Sequence, residues 1–265
     1  MLGMVQGITE WLPVSSSGHL VILQHYWGVD SPVLFDALLH LATALTVLLV
    51  FRQDVSRIVT AFFSGLGDMR KGAEFWESLW NDTDARMGLL VVLGSVPIGI
   101  AGFLLADEVE SMFESIRHVA VALLVTGIIL ISTVFVRGKG RSDASARDAA
   151  VVGIVQVASL VPGISRSGST ISAGLHSGLD RETAARFSFL LSIPAIIGAS
   201  AYQLLKNGAS GPGIQVGTSE LAGMAAAALV GYACIHTLLA VVRRGYVHLF
   251  ALYCLALSGV LFLVI

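Results

Sequence analysis

Six apolar stretches, at about 33–51, 87–106, 118–136, 187–205, 219–242 and 247–265, limit this chain more than any other feature. Each is close to the roughly 20 helical residues that cross a hydrocarbon core about 30 Å thick. Inside that core no water is available to pair with backbone amides, so such stretches are expected to be helices. The composition agrees, with 55% hydrophobic and only 13% charged residues, where soluble domains carry about a quarter charged. The expectation is an all-α, multi-pass integral membrane protein, one membrane domain over residues 1–265 with about six transmembrane helices.

The charges exclude some classes and orient the spans. A net charge of -2 and 16 Lys and Arg dispersed among short loops give nucleic acid no basic track to bind. Cys234 and Cys254 lie in apolar stretches and read as small buried hydrophobes, neither disulfide nor zinc site. The N-terminus lacks a basic region, carries Glu10 early and runs into Pro13, so it does not read as a cleavable signal peptide. Lys and Arg near helix ends favour the cytoplasmic side. They gather at 52–86 (Arg52, Arg57, Arg70, Lys71, Arg86), at 137–148 (Arg137, Lys139, Arg141, Arg147) and at Arg243 and Arg244. This alternation predicts residues 52–86, 137–186 and 243–246 inside, with cytoplasmic loops at about 52–86 and 137–148, and residues 1–32, 107–117, 206–218 and the C-terminus outside.

Two further apolar stretches, about 1–12 and 149–161, are too short to span, and each ends in a proline with serines and glycine after it. They read as re-entrant helix–loop segments. They also resemble one another: Gly3-Met-Val-Gln6 through Pro13-Val-Ser-Ser-Ser-Gly18 against Gly153-Ile-Val-Gln156 through Pro162-Gly-Ile-Ser-Arg-Ser-Gly168, with one residue of slippage. Phe35-Asp-Ala-Leu-Leu-His40 likewise matches Phe187-Ser-Phe-Leu-Leu-Ser192. With opposite predicted sidedness, the halves (about 1–136 and 149–265) form an inverted-topology repeat, which brings two broken tips together in mid-membrane. Irregular backbone at that depth must be enclosed by protein or line a wet pocket.

The tips are dense in polar groups: Gln6, Glu10, Ser15, Ser16, Ser17 and His19 in the first, Gly163, Ser165, Arg166, Ser167 and Thr170 in the second. Gln6 and Glu10, four apart, share one helix face and together suit a divalent cation. Glycine and serine after a proline free backbone amides for an anion. Arg166 supplies a permanent planar charge that grips two phosphate oxygens. The set fits phosphoryl transfer. Serine runs also serve as plain helix-packing residues in membranes, and Glu10 with Arg166 is also readable as a structural ion pair. Asp36 and His40 either face the same pocket or sit near the outer interface. His118, His236 and His248 read as structural, while His25 and His176 stay unassigned.

The run Gln6-Gly-Ile-Thr-Glu10-Trp-Leu-Pro-Val-Ser-Ser-Ser-Gly-His19 resembles the first signature of the undecaprenyl-diphosphate phosphatase family, the bacitracin-resistance type of membrane phosphatase. Pro162-Gly-Ile-Ser-Arg-Ser-Gly-Ser-Thr170 resembles its second, and Phe187-Ser-Phe-Leu-Leu-Ser-Ile-Pro194 resembles the family's sequence beyond that second signature. The resemblance covers nearly the whole chain. It implies hydrolysis of a polyprenyl diphosphate to the monophosphate, which recycles the carrier lipid of cell-envelope synthesis. It further implies a site open to the external face and a divalent cation, Mg2+ or Ca2+. By position it makes Glu10, His19, Ser16 and Arg166 catalytic. Ser15, Ser17, Gly163, Ser165, Ser167 and Thr170 become substrate-binding, and Gln6 and Glu10 metal-holding. Gln6 stands where many members have a second glutamate. A rival reading from the repeat architecture is a polyprenyl-phosphate flippase or transporter using the same phosphate site. A homodimer is left open.

Overall fold

A computed structural model describes residues 1–28, 33–69, 75–136, 140–208 and 217–265. Arg70, Lys71, Arg137 and Lys139, four of the residues that orient the spans, lie outside the described residues. The described chain is all helical: α1 (Leu2–Trp11), α2 (Ser16–Trp27), α3 (Val33–Val50), α4 (Arg52–Met69), α5 (Phe75–Asn81), α6 (Thr83–Leu104), α7 (Ala106–Met112), α8 (Ile116–Ser132), α9 (Ala146–Val157), α10 (Arg166–His176), α11 (Arg181–Gly208), α12 (Thr218–Arg244) and α13 (Leu249–Val264).

Each of the six expected spans falls on a helix, but they are not equal. Among the described residues four are long and apolar enough to cross a bilayer: Thr83–Leu104, Ile116–Phe135, Arg181–Lys206 and Thr218–Arg244. Phe35–Val50 and Arg52–Gly65 form a pair bent by 77° that counts as a fifth. The last apolar helix, Leu249–Val264, has 16 residues, about 24 Å at 1.5 Å per residue. The segment 52–86, expected as a loop, is mostly helical. α4 is amphipathic, and Arg186 ties α4 and α6 to α11 through ion pairs with Asp54 and, at 3.8 Å, Asp84. Charge content does not separate the two cases, because a charged helix lying against the bundle has the same composition as a loop.

The two predicted repeats pack as equivalents. α1 lies along α12 and α9 along α6, while α3 meets α11 and α8 meets α13. Exchanging the halves maps each of these pairs onto another or onto itself. The close approach has a local cause in small residues, which let membrane helices touch backbone to backbone. A Cβ on Gly3 would sit 2.9 Å from Gly223 Cα, and one on its repeat partner Gly153 would sit 2.8 Å from Gly94 Cα.

Ion pairs sort the ends of the bundle. Arg86–Asp143 at 2.6 Å, Arg141–Asp148 at 2.9 Å, Arg243–Glu182 at 2.9 Å and the Arg186 pairs join the segments assigned to one side. Lys206 pairs with Glu110 at 2.8 Å and Asp107 at 3.6 Å, joining two segments assigned to the other. In the first layer Asp148 is buried. Burial pushes its carboxyl up, but hydrogen bonds from Ser145 and the Arg141 guanidinium outweigh this and hold it below its ordinary value.

Candidate active site

The two short helices α1 and α9 each break at a proline-containing loop, and the chain continues as α2 and α10. Both helix starts are capped alike. Ser15 Oγ accepts from Gly18 N at 3.2 Å, and Ser165 Oγ accepts from Gly168 N at 3.1 Å. In both, a second serine two residues on lies 3.3 Å from the cap hydroxyl. Serine caps of this kind satisfy one of the orphan amides at a helix start. Ser15 therefore stands in the first half where Ser165 stands in the second, and the prolines alone are out of register.

The loops touch. Gly163 N donates to Ser17 Oγ at 3.4 Å. Gly163 has φ 103°, and a Cβ there would come within 2.6 Å of Ala122 Cβ and 2.9 Å of the Val119 carbonyl on α8. Only glycine supplies that backbone in that space. Thr126 of α8 holds the same loop from behind, donating to the Gly163 carbonyl at 2.9 Å and accepting from Ser165 N at 3.1 Å. Two helix starts, each with a partial positive charge and free first-turn amides, thus converge on one spot, which favours an anion.

At that spot the first residues of α2 and α10 close on one carboxylate. Ser16 Oγ donates to Glu10 Oε2 at 2.6 Å, and Arg166 Nη2 pairs with Glu10 Oε1. Gln6 Nε2 adds a third hydrogen bond, to Oε2 at 2.9 Å, and His40 Nε2 lies 3.6 Å from the same oxygen. Glu10 and Gln6 are buried, whereas Ser16, Ser17, His19 and Arg166 are half-buried and form the reachable edge. Arg166 lies 5.9 Å from the Trp11 ring centroid, and its Nη1 is buried without a partner. The guanidinium therefore has one nitrogen on a carboxylate and a second that is desolvated and unpartnered.

His19 is held at both ring nitrogens, Nδ1 by the Ser15 carbonyl at 2.7 Å and Nε2 by the Tyr253 hydroxyl at 2.6 Å. The carbonyl only accepts, so Nδ1 carries the proton and Nε2 takes one from the phenol. Ser15 has φ 70°, the one non-glycine residue with positive φ among the described residues. Such backbone strain clusters at working sites, and here it presents the Ser15 carbonyl to His19.

The residues expected at the site fall as follows. Glu10, Ser16, Arg166 and Gln6 come together, while Ser17 meets Gly163 of the second loop and His19 meets the Ser15 carbonyl and Tyr253. Ser15 and Ser165 are present but spend their hydroxyls on caps. Thr170 is buried a turn below Arg166, donating to the Arg166 carbonyl at 2.8 Å and lying 2.5 Å from Ser188 Oγ. His40 lies beside Glu10, with its Nε2 3.6 Å from Oε2. Its neighbour Asp36 takes a hydrogen bond from Gln24 at 3.3 Å. Among the described residues no three His, Cys, Asp or Glu side chains gather as metal ligands.

Two like-capped helix pairs thus close on one glutamate, and comparison with known proteins supplies the family. The model of the family described as bacitracin resistance protein BacA matches residues 1–260. The chain belongs to that family.

Its similarity to individual members is nearly full length. An undecaprenyl-diphosphatase of Desulfosudis oleivorans is 44% identical over 269 residues, 98% of this chain and 95% of its own. One from Korarchaeum cryptofilum is 41% identical, covering 96% of this chain and 93% of its own. One from Corynebacterium striatum is 41% identical over 266 residues, 96% of this chain and 88% of its own. In this member of the BacA family, Thr126, Ser188 and Tyr253 belong to the site's surroundings, and sequence reasoning does not find them. Each is one of a few polar residues in a largely apolar span, and nothing in the sequence marks it out from the others.

Proposed function

We propose that this chain is a membrane phosphatase that hydrolyses undecaprenyl diphosphate, or a closely related polyprenyl diphosphate, to the monophosphate and inorganic phosphate. The observation that carries the reading is the 2.6 Å hydrogen bond from Ser16 Oγ to Glu10. A nucleophile already donating to a carboxylate is the arrangement needed to lose its proton during attack. The names of the relatives agree. A transport-only site has no need of a hydroxyl poised on a base.

In this mechanism the terminal phosphate enters between the two helix starts. Its oxygens meet Arg166 Nη1, the first-turn amides of α2 and α10, and Ser17. Ser16 Oγ attacks the terminal phosphorus as its proton passes to Glu10. The bond from that phosphorus to the bridging oxygen breaks, and the prenyl monophosphate leaves. Water then attacks the phosphoserine, giving its proton to the His19 side, while Ser16 recovers its own from Glu10. Arg166 and the fixed amides are in place before charge develops, so little reorganisation is required in either step. The prenyl tail lies in lipid between helices.

Gln6 Oε1, buried and unpartnered beside Glu10, is the atom of this chain best suited to a cation. One amide oxygen and one carboxylate already facing Arg166 fall short of the six or more oxygens that Mg2+ or Ca2+ takes. Gln6 and Glu10 would therefore hold a divalent cation only when the diphosphate is also bound. There it would neutralise phosphate charge. We also place the opening on the external face. Gln24, Asp36 and His40 form a polar trail to Glu10 along the half of α3 remote from the basic ion-pair layer.

The test is phosphate release from undecaprenyl and farnesyl diphosphates by the purified protein in detergent, with Mg2+, Ca2+ or chelator. Ser16→Ala and Arg166→Ala should each lose at least about a hundredfold, about 2.7 kcal/mol of barrier lowering. A folded wild-type protein that releases no phosphate across these substrates and metals would sink the proposal.

A further inference from the structure

Tyr253 belongs to α13, an otherwise strongly apolar helix whose sequence, Leu-Phe-Ala-Leu-Tyr-Cys-Leu-Ala-Leu-Ser-Gly-Val-Leu-Phe-Leu-Val, carries few polar groups. A phenol in such a segment is usually there to use its hydroxyl. It lies 234 positions from His19 in the chain, yet its hydroxyl is 2.6 Å from His19 Nε2. The two rings stack with centroids 5.6 Å apart and planes 8° from parallel. The placement is fixed by contacts on both sides. Cys254 Sγ donates to the Pro13 carbonyl of the first loop at 3.6 Å, and Ser258 Oγ donates to the Ala120 carbonyl on α8 at 2.7 Å. Tyr253 itself is half-exposed, 47% accessible, at the open edge of the site. His19 is three residues beyond Ser16 on α2, a spacing that puts both side chains on one helix face.

We infer that Tyr253 is the outer member of a proton relay, Ser15 carbonyl to His19 to Tyr253, that serves the water-dependent second step. This rests on the phosphoserine mechanism proposed for Ser16. In that step water attacks the phosphoserine phosphorus, and the bond from phosphorus to Ser16 Oγ breaks. The water proton passes to the Tyr253 oxygen while the phenol's own proton passes to His19 Nε2, and Ser16 takes back the proton held by Glu10. A phenol both donates and accepts, so it keeps its hydrogen bond to His19 before and after the transfer. The ring stack holds the imidazole in plane, and the strained Ser15 carbonyl fixes which nitrogen is free.

Tyr253→Phe keeps the ring and removes the hydroxyl. With undecaprenyl diphosphate in detergent it should lower kcat about tenfold to a hundredfold, within the range for general acid–base groups, and leave KM within about threefold. Acid-quenched turnover should show phosphate accumulating on Ser16 in Tyr253→Phe and in His19→Gln. Adding Tyr253→Phe to His19→Gln should cost nothing further, because both act through one relay. The inference is overturned if Tyr253→Phe turns over like wild type. It is equally overturned if the same factor is lost in the His19→Gln background, or if the loss falls on KM alone. Full activity in Ser16→Ala would instead remove the phosphoserine mechanism, a result distinguishable because it leaves the tyrosine–histidine cycle unaltered in kcat.

Discussion

Replacing Glu10 by glutamine preserves shape and removes one charge, so it separates the two things this residue does. Its side chain is 5% exposed and that of Arg166 is 14% exposed. Removing one partner of a buried ion pair leaves the other charge uncompensated and costs about 3–5 kcal/mol. Arg166 retains some exposure, so the lower end, about 3 kcal/mol, is expected. The glutamine also offers one acceptor oxygen where the carboxylate served Arg166, Ser16 and Gln6, which adds to that cost. For a chain of this size this is about 6–10 °C of melting temperature in detergent. Turnover should fall at least about a hundredfold, because Ser16 loses its base. The double variant Glu10→Gln/Arg166→Met replaces the stranded charge with an apolar side chain and should recover most of the lost stability. It should recover no activity. Thermal unfolding and phosphate release are measured on all three proteins. Unchanged melting in Glu10→Gln would show that the pair is not a buried one, and a double variant less stable than the single would refute the stranded-charge argument. Undiminished turnover would remove Glu10 from the chemistry.

Gly153→Ala should destabilise by about 1–3 kcal/mol through overpacking against Gly94. Gly99→Ala, with nothing within 4 Å of the added carbon, should be neutral or stabilising because alanine is the better helix former; equal effects in thermal unfolding would count against the close α6–α9 crossing. Asp148 is held below its ordinary value near 3.8, so its stabilising contribution is complete above that pH and is lost as pH falls through the lower folded value. Wild type should therefore lose stability relative to Asp148→Asn below about pH 4, and parallel acid melting curves would contradict this. Gln6→Glu places a second carboxylate beside Glu10 and should lower the Mg2+ concentration for half-maximal turnover. It should also give calorimetrically detectable Ca2+ binding without substrate, and no change in either would argue against a cation at Gln6.

What the sequence could disclose here divides along a physical line. Helix existence depends on local hydrophobicity, so every expected span coincides with a helix. Length and bending depend on where the chain finds partners: α3 turns sharply into α4, whose Asp54 is captured by Arg186 from the other half. The repeat is visible because its cause is local too, a glycine for close packing, a glutamine one turn on, and a serine cap. Its register shows the same thing, since caps and glycines align by their backbone duties while the prolines do not. The site is legible to the extent that one loop carries several of its members. Ser15, Ser16, Ser17 and His19 are neighbours in sequence, and the pattern cannot separate the capping serine from the reacting one, because that difference lies in which hydroxyl meets Gly18 N and which meets Glu10. Thr126 and Tyr253 can be found only through contacts 37 to 234 residues apart. A single threonine or tyrosine in an apolar span costs little enough to need no role, so its assignment has to come from geometry. In the proposed mechanism the capped loops bind the phosphate, and Thr126 and Tyr253 hold the loop and the histidine from a distance, so variants at these two positions should alter rate while leaving the fold in place.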